Sequence, residues 1–250
     1  MSQNYTLEVT NPGGHSMRPV KDNAIYRLSA GLLKIGAYDF PTQSTDASRE
    51  YFARMAPLTG GEMGAAMTAF SRNDKDAHAV GVLAGDPRFN AAMRTTCVAT
   101  LINGGHATNA LPQRVTANVN CRIFPGTTPE QVRAKLQELV ADPQIKVTLV
   151  DKRSEVPKGP QPINPAVFGP VEKLVAKMWP GIPVTSSMSA GATDGAFLTP
   201  AGIPTYGVSG MFGDPDGNGA HGLNERMRVK SAYQGNDFLY EVVKVYANQK

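Results

Sequence analysis

From Val115 to Ile123 the chain alternates without a break: Val115, Ala117, Val119, Cys121 and Ile123 fall on one side, and Thr116, Asn118, Asn120 and Arg122 on the other. Successive side chains of a strand point to opposite faces, so this run, within a strand expected from Arg114 to Phe124, can bury one face and wet the other only in a half-covered sheet. Pro125-Gly126 ends it, and Thr128-Pro129-Glu130-Gln131 supplies an N-cap, a proline at the first helical position and the closing glutamine of a capping box. The helix opened there should reach about Ala141, with Val132, Leu136, Leu139 and Val140 on its apolar face.

Three more strands are expected: Tyr5 to Thr10, Thr95 to Asn103 as the hairpin partner of 114–124, and Ile145 to Val150. A second helix from about Asn23 to Ile35, capped by Asp22, carries Ile25, Leu28, Leu32 and Ile35 as its stripe. Residues 5–152 therefore read as an α+β unit, a four-stranded antiparallel sheet with two helices on one face. About 36–93 form a mostly helical insertion, its patterns at Ser48 to Met55 and Glu62 to Phe70 broken by Pro41, Pro57, Gly60, Gly61 and Gly85.

A proline-rich linker at 156–162 precedes a second unit, 153–250, patterned as α/β with parallel strands. Helices are expected at Ala166 to Met178, Gly195 to Leu198 and Ala232 to Asn248, with strands at Val184 to Met188 and Thr205 to Val208. Such short strands make a poor core alone, because an open parallel sheet needs neighbours. This unit reads as half a domain.

Hydrophobic residues at 41% and charged residues at 18% of 250 exclude the disordered class. The net charge of +4 is mild, with Lys and Arg scattered, so no nucleic-acid partner is expected. A four-stranded sheet with two helices is also an RNA-binding plan, but the paired aromatics of those modules are missing from Thr95 to Asn103. No apolar run is long enough to span a membrane, and the polar start shows no secretion signal, which implies a cytoplasmic protein if Met1 is the natural start. Cys97 and Cys121 are too few for a disulfide framework. Both lie on the apolar face of neighbouring strands, where free buried thiols are favoured over a cross-strand bridge.

His221, in Gly217-Asn-Gly-Ala-His-Gly-Leu-Asn-Glu225, is a candidate metal ligand on a loop that glycines let bend sharply. A protein zinc site needs three or four donors at about 2 Å. The other histidines are His15, His78 and His106; there is no His-x-Asp, no His-Glu-x-x-His and no Glu-Glu pair. Glu225 is open to two roles, an acceptor orienting an imidazole or an acid at a helix entry.

The motifs resemble the di-zinc metallopeptidases that include carboxypeptidase S, N-acyl-amino-acid hydrolase, glutamate carboxypeptidase, aminoacylase and succinyl-diaminopimelate desuccinylase. Gly13-Gly-His-Ser-Met-Arg-Pro19 with Asp22-Asn-Ala24 is similar to the opening of that family's lid, or dimerisation, domain. Ile102-Asn-Gly-Gly105 with Thr108-Asn-Ala-Leu-Pro112, then Asn120-Cys-Arg-Ile-Phe-Pro-Gly126, is similar to its central hairpin. Gly191-Ala-Thr-Asp-Gly195 and Gly219-Ala-His-Gly-Leu-Asn-Glu225 are similar to the close of its catalytic domain.

The resemblance implies a chain corresponding to the carboxy-terminal part of such an enzyme: a complete lid, then the closing half of the catalytic domain. It implies hydrolysis of an amide in a peptide or N-acyl amino acid with a free carboxylate, and two zinc ions per site, for which this chain holds one ligand, His221. Alone, the chain is then expected to be inactive but to pair through its lid as a homodimer, its other partner being the missing amino-terminal part. His15 would polarise the scissile carbonyl across the dimer. Arg122 and Asn109 would hold the substrate carboxylate, and Gly191 and Thr193 would contact substrate, Asp194 being open to capping a helix instead. The competing reading is a non-catalytic dimerisation or small-ligand-binding module.

Overall fold

A computed structural model describes residues 1–150, 164–189, 191, 193–214 and 216–248. The alternating run is its strand β5 (Arg114–Arg122), paired antiparallel with β1 (Ser2–Thr10) on one side and with the edge strand β3 (Thr96–Gly104) on the other. The short β6 (Lys146–Leu149) pairs with the far side of β1, giving the order β3-β5-β1-β6. Helices α1 (Ala24–Gly36) and α6 (Pro129–Val140) supply the apolar layer, joining Tyr5, Leu7, Val9, Val115, Val119 and Val147 of the sheet in one core. The capping box at Thr128 and Gln131 is present, as expected.

Three local expectations are corrected. The cap of α1 is Asn23, whose side-chain oxygen accepts the Ile25 N–H at 2.8 Å, while Asp22 pairs with Arg27. The buried face of α1 is Ala24, Leu28, Gly31 and Ile35, leaving Ile25 40% exposed. Gly31 decides this, because a Cβ there would lie 3.0 Å from Ile145 Cδ1 and 3.3 Å from Val140 Cγ1. Cys97 and Cys121 are joined in a disulfide rather than free. They face each other directly in the β3–β5 register with Cα atoms 4.1 Å apart, within bridging reach once pairing aligns them.

The insertion is helical: α2 (Asp46–Thr59), α3 (Gly61–Arg72), α4 (Ala77–Ala84) and α5 (Pro87–Met93). It encloses its own core of Phe52, Met67, Phe70, Leu83 and Met93. The break between α2 and α3 falls at Gly60-Gly61, both at positive φ, and Pro57 stays inside α2.

The chain divides into two units, Met1–Pro160 with Ser187–Ile203, and Gln161–Ser186 with Pro204–Lys250. In the second, α7 (Pro165–Met178) and α9 (Val229–Ala247) pack through Val171, Val175, Phe238 and Val242. The strands expected at Val184 to Met188 and Thr205 to Val208 are not part of any sheet among the described residues. A strand exists only through its ladder, which periodicity alone cannot supply. The linker expected at 156–162 lies outside the described residues. Among those described, no helix is long and apolar enough to cross a membrane.

Candidate functional site

His15 lies on a two-residue strand, β2 (Gly14–His15), paired with β4 (Ala110–Leu111) so that His15 faces Ala110. Gly13 makes the turn into β2: its φ is +76° and a Cβ would meet Gln113 Cγ at 2.8 Å. The Ser16 N–H donates to the Asn109 carbonyl at 2.9 Å, so His15 and Asn109 share the hairpin end of the sheet. The Met17 N–H donates to His15 Nδ1 at 3.1 Å. A neutral imidazole that accepts at Nδ1 carries its proton on Nε2, which makes exposed His15 a ready N–H donor. A two-residue ladder has no periodicity to read, so this juxtaposition has no signal in the sequence.

Arg122 ends β5 opposite Ser2 of β1 and Thr96 of β3. From Arg114, beside the hairpin end, to Arg122 is about 26 Å at the usual strand rise. The structure therefore brings His15 and Asn109 together and holds Arg122 at the other end of the sheet. Between them the polar face is a network of neutral amides: Asn120 Nδ2 donates to Asn4 Oδ1 at 2.8 Å and Asn118 Nδ2 to Thr100 Oγ1 at 2.7 Å. The two arginines of β5 differ. Arg114 is paired with Glu8, whereas Arg122 Nη1 is buried with no hydrogen-bond partner among the described residues. An unpaired guanidinium nitrogen is costly, and a carboxylate is the group whose geometry matches it.

Gly191 and Thr193 lie on exposed loop, in the segment that groups with the first unit. The Gly191 N–H is engaged by Ser189 Oγ at 3.0 Å. Asp194 occupies the cap position of the short α8 (Gly195–Leu198), but its side chain makes no cap hydrogen bond.

His221 sits in the second unit at φ +62°, a left-handed backbone rare outside glycine. Its N–H donates to Glu225 Oε2 at 3.2 Å, so Glu225 secures the His221 backbone, a role different from both it was open to. Gly219, at φ +65°, approaches Asn224 so closely that a Cβ would lie 2.8 Å from its carbonyl oxygen. Arg226 and Arg228 pair with Asp214, and Arg226 also with Asp216. Sequence reasoning missed this set, although basic residues returning twelve and fourteen positions after an acid on one glycine-rich loop were a visible sign.

Among the described residues no three His, Cys, Asp or Glu side chains come together as a metal site requires. His221 offers one imidazole, and the cysteines hold each other. By themselves these residues do not fit a zinc ion.

The M20 peptidase dimerisation domain matches residues 2–148. Over 230 residues the chain is 26% identical to the N-fatty-acyl-amino acid synthase/hydrolase PM20D1.1 of Danio rerio, covering 90% of this chain and 44% of that protein. It is 23% identical over 245 residues to the probable carboxypeptidase S-like 2 of Dictyostelium discoideum, covering 95% and 45%. Its fold is that of the di-peptidase Dug1p of Saccharomyces cerevisiae, with a TM-score of 0.63 at 16% identity over 99% of this chain and 55% of that one. The chain spans about half the length of the curated relatives it matches.

Proposed function

Because the chain belongs to the M20 peptidase dimerisation-domain family, we propose that it supplies the substrate-gripping lid and one metal donor, His221, of a zinc-dependent hydrolase. The bond cleaved is the amide of an N-acyl amino acid or small peptide that keeps a free carboxylate. Relatives named as an N-fatty-acyl-amino acid synthase/hydrolase and a carboxypeptidase S-like protein support that substrate class. The observation that carries it is Arg122, whose buried and unpaired Nη1 lies on a face of neutral amides. A carboxylate there gains charge-assisted hydrogen bonds without displacing an existing partner. The acyl end then meets Asn109, Thr193 and the Gly191 loop, and His15 Nε2–H donates to the carbonyl oxygen as it gains charge, worth about 3 to 4 kcal/mol for a well-placed donor. One donor does not hold a zinc ion, so what these residues do is bind, orient and polarise.

A site shared between two chains fits these distances. A two-residue ligand spans at most about 7 Å, against about 26 Å between the hairpin end and Arg122, so His15 of one chain and Arg122 of another serve one substrate. The edge strand β3 suits such a homodimer, its outer edge unpaired among the described residues and Val98, Leu101 and Ile102 exposed at 61%, 63% and 56%, the first two on the polar face of the sheet and Ile102 on the other. The single metal donor favours a second reading, a carboxylate-binding dimer module without catalysis.

Calorimetric titration of the full chain with N-acetyl-L-phenylalanine and with its amide tests the proposal. Only the acid should bind. Arg122→Ala should weaken it roughly ten- to a hundredfold, the worth of a charged bidentate hydrogen bond, with Arg122→Lys recovering part. Equal binding of the acid by the native chain and Arg122→Ala overturns the reading. Hydrolysis of the acid only when zinc and the amino-terminal half of such an enzyme are supplied to the chain separates the catalytic reading from the binding module.

A further inference from the structure

The loop from Asp214 to Arg228 is closed at its mouth by charge. Arg228 Nε donates to Asp214 Oδ1, and Arg226 Nε lies 3.5 Å from Asp214 Oδ2 while its Nη2 donates to Asp216 at 2.5 Å. The Asp214 side chain is 23% exposed and that of Asp216 75%, so Asp214 is the better shielded acceptor and the only one holding both arginines. Arg228 is also the residue from which α9 starts, and α9 is fixed by Phe238 and Val242 in the core of its unit.

The bond between Asp214 and Arg228 thus ties the loop to a rigid helix. Within this clamp the backbone closes in steps: the Gly217 N–H to the Asp214 carbonyl at 2.9 Å, the Arg226 N–H to the Asn218 carbonyl at 2.8 Å, and the Gly222 N–H to the Gly219 carbonyl at 2.8 Å. The left-handed His221 sits at the tip. Closed loops of this size hold their shape through such internal contacts, and a non-glycine residue at positive φ persists only where its surroundings enforce it.

We propose that Asp214 is a positioning residue for His221: by holding Arg226 and Arg228 together it fixes the loop mouth, and through it the left-handed backbone that presents the imidazole. Its purpose rests on the hydrolase reading, in which His221 is a ligand; its geometry does not. Asp216 is the outer, dispensable partner.

Amide hydrogen exchange of the isotope-labelled full chain, with the imidazole C–H resonances of His221, tests this without any metal. Asp214→Asn should speed exchange at the His221 and Arg226 amides about tenfold and shift the His221 ring signals, leaving the amides of Val171, Phe238 and Val242 in the core of the same unit unchanged as a control of folding. Asp214→Glu should restore most of the protection, and Asp216→Asn should change it less than about twofold. Arg228→Gln, which leaves the carboxylate in place, should reproduce the effect and stands in should Asp214→Asn fail to fold. An unchanged His221 amide in the folded variant, or an equal effect from Asp216→Asn, overturns the assignment. A loosened loop in a chain that binds no acyl amino acid refutes the hydrolase reading alone, and intact binding of the acid with an unmoved loop refutes the role of Asp214 alone.

Discussion

Opening the bond between Cys97 and Cys121 tests how the sheet holds its exposed edge. The cross-link closes a loop with a sequence separation of 24. In the chain-entropy account such a loop removes about 2.1 + 1.5R ln 24, close to 11.6 cal/mol/K, from the unfolded ensemble, or about 3.4 kcal/mol at 25 °C. Reduction isolates this effect better than mutation, since both side chains are kept and only two weakly polar thiols are added. The edge strand should feel it most, because β3 is laddered on one side only among the described residues. The assay is amide exchange along β3 and β5 with and without a reductant, in increasing urea. Trp179 fluorescence is unsuited, because Trp179 belongs to the other unit. A loss of roughly 2 to 4 kcal/mol is expected, and a loss below about 1 kcal/mol refutes the reasoning. Two titratable thiols in the denatured, unreduced chain would refute the pairing itself.

Two further outcomes follow from the same unit. Val98→Lys combined with Leu101→Lys places two charges on the edge of β3 and should weaken a homodimer at least about tenfold by analytical ultracentrifugation; unchanged sedimentation moves the contact elsewhere. Hydrogen bonding from Arg27 holds the Asp22 carboxyl below its usual range, and burial pushes Asp142 up but is outweighed by hydrogen bonds from the Gln144 N–H and Arg27, leaving it lowered as well. Carboxyls depressed in the folded state add stability that is fully present above their unfolded pKa, near pH 4, and is lost as pH falls through the folded values. The native chain should therefore lose its advantage over Arg27→Gln in urea unfolding between about pH 4 and 2, and an advantage that grows in that window contradicts the assignment.

The four-stranded sheet and its two helices were legible because their signals are local. The alternation of β5, the Pro125-Gly126 stop and the capping box at Thr128 each act within a few residues, and all agree. What depends on register was not legible. Free and bridged cysteines look alike in sequence until β3 and β5 align residue for residue, and the β2–β4 pair that sets His15 beside Asn109 is too short to leave a pattern. The cap of α1 was misplaced by one residue because Asp22 and Asn23 are both good caps. The choice followed from Asp22 being taken by Arg27.

The same division governs the candidate site. Residue types identify what each group can do: a planar guanidinium for a carboxylate, an imidazole for a developing oxyanion, a glycine-rich turn for close approach. They say nothing of distance, and distance decides how many chains are needed. Asn109 and Arg122 are thirteen positions apart and invite assignment to one carboxylate, yet the intervening strand carries them to opposite ends of the sheet. A straight nine-residue strand cannot fold back to reunite them, so a site that uses both must draw one from a second chain. In the proposed dimer the two observations complement each other: the exposed apolar residues of β3 would gain a cover from the second chain, and the unpaired nitrogen of Arg122 would gain the substrate carboxylate.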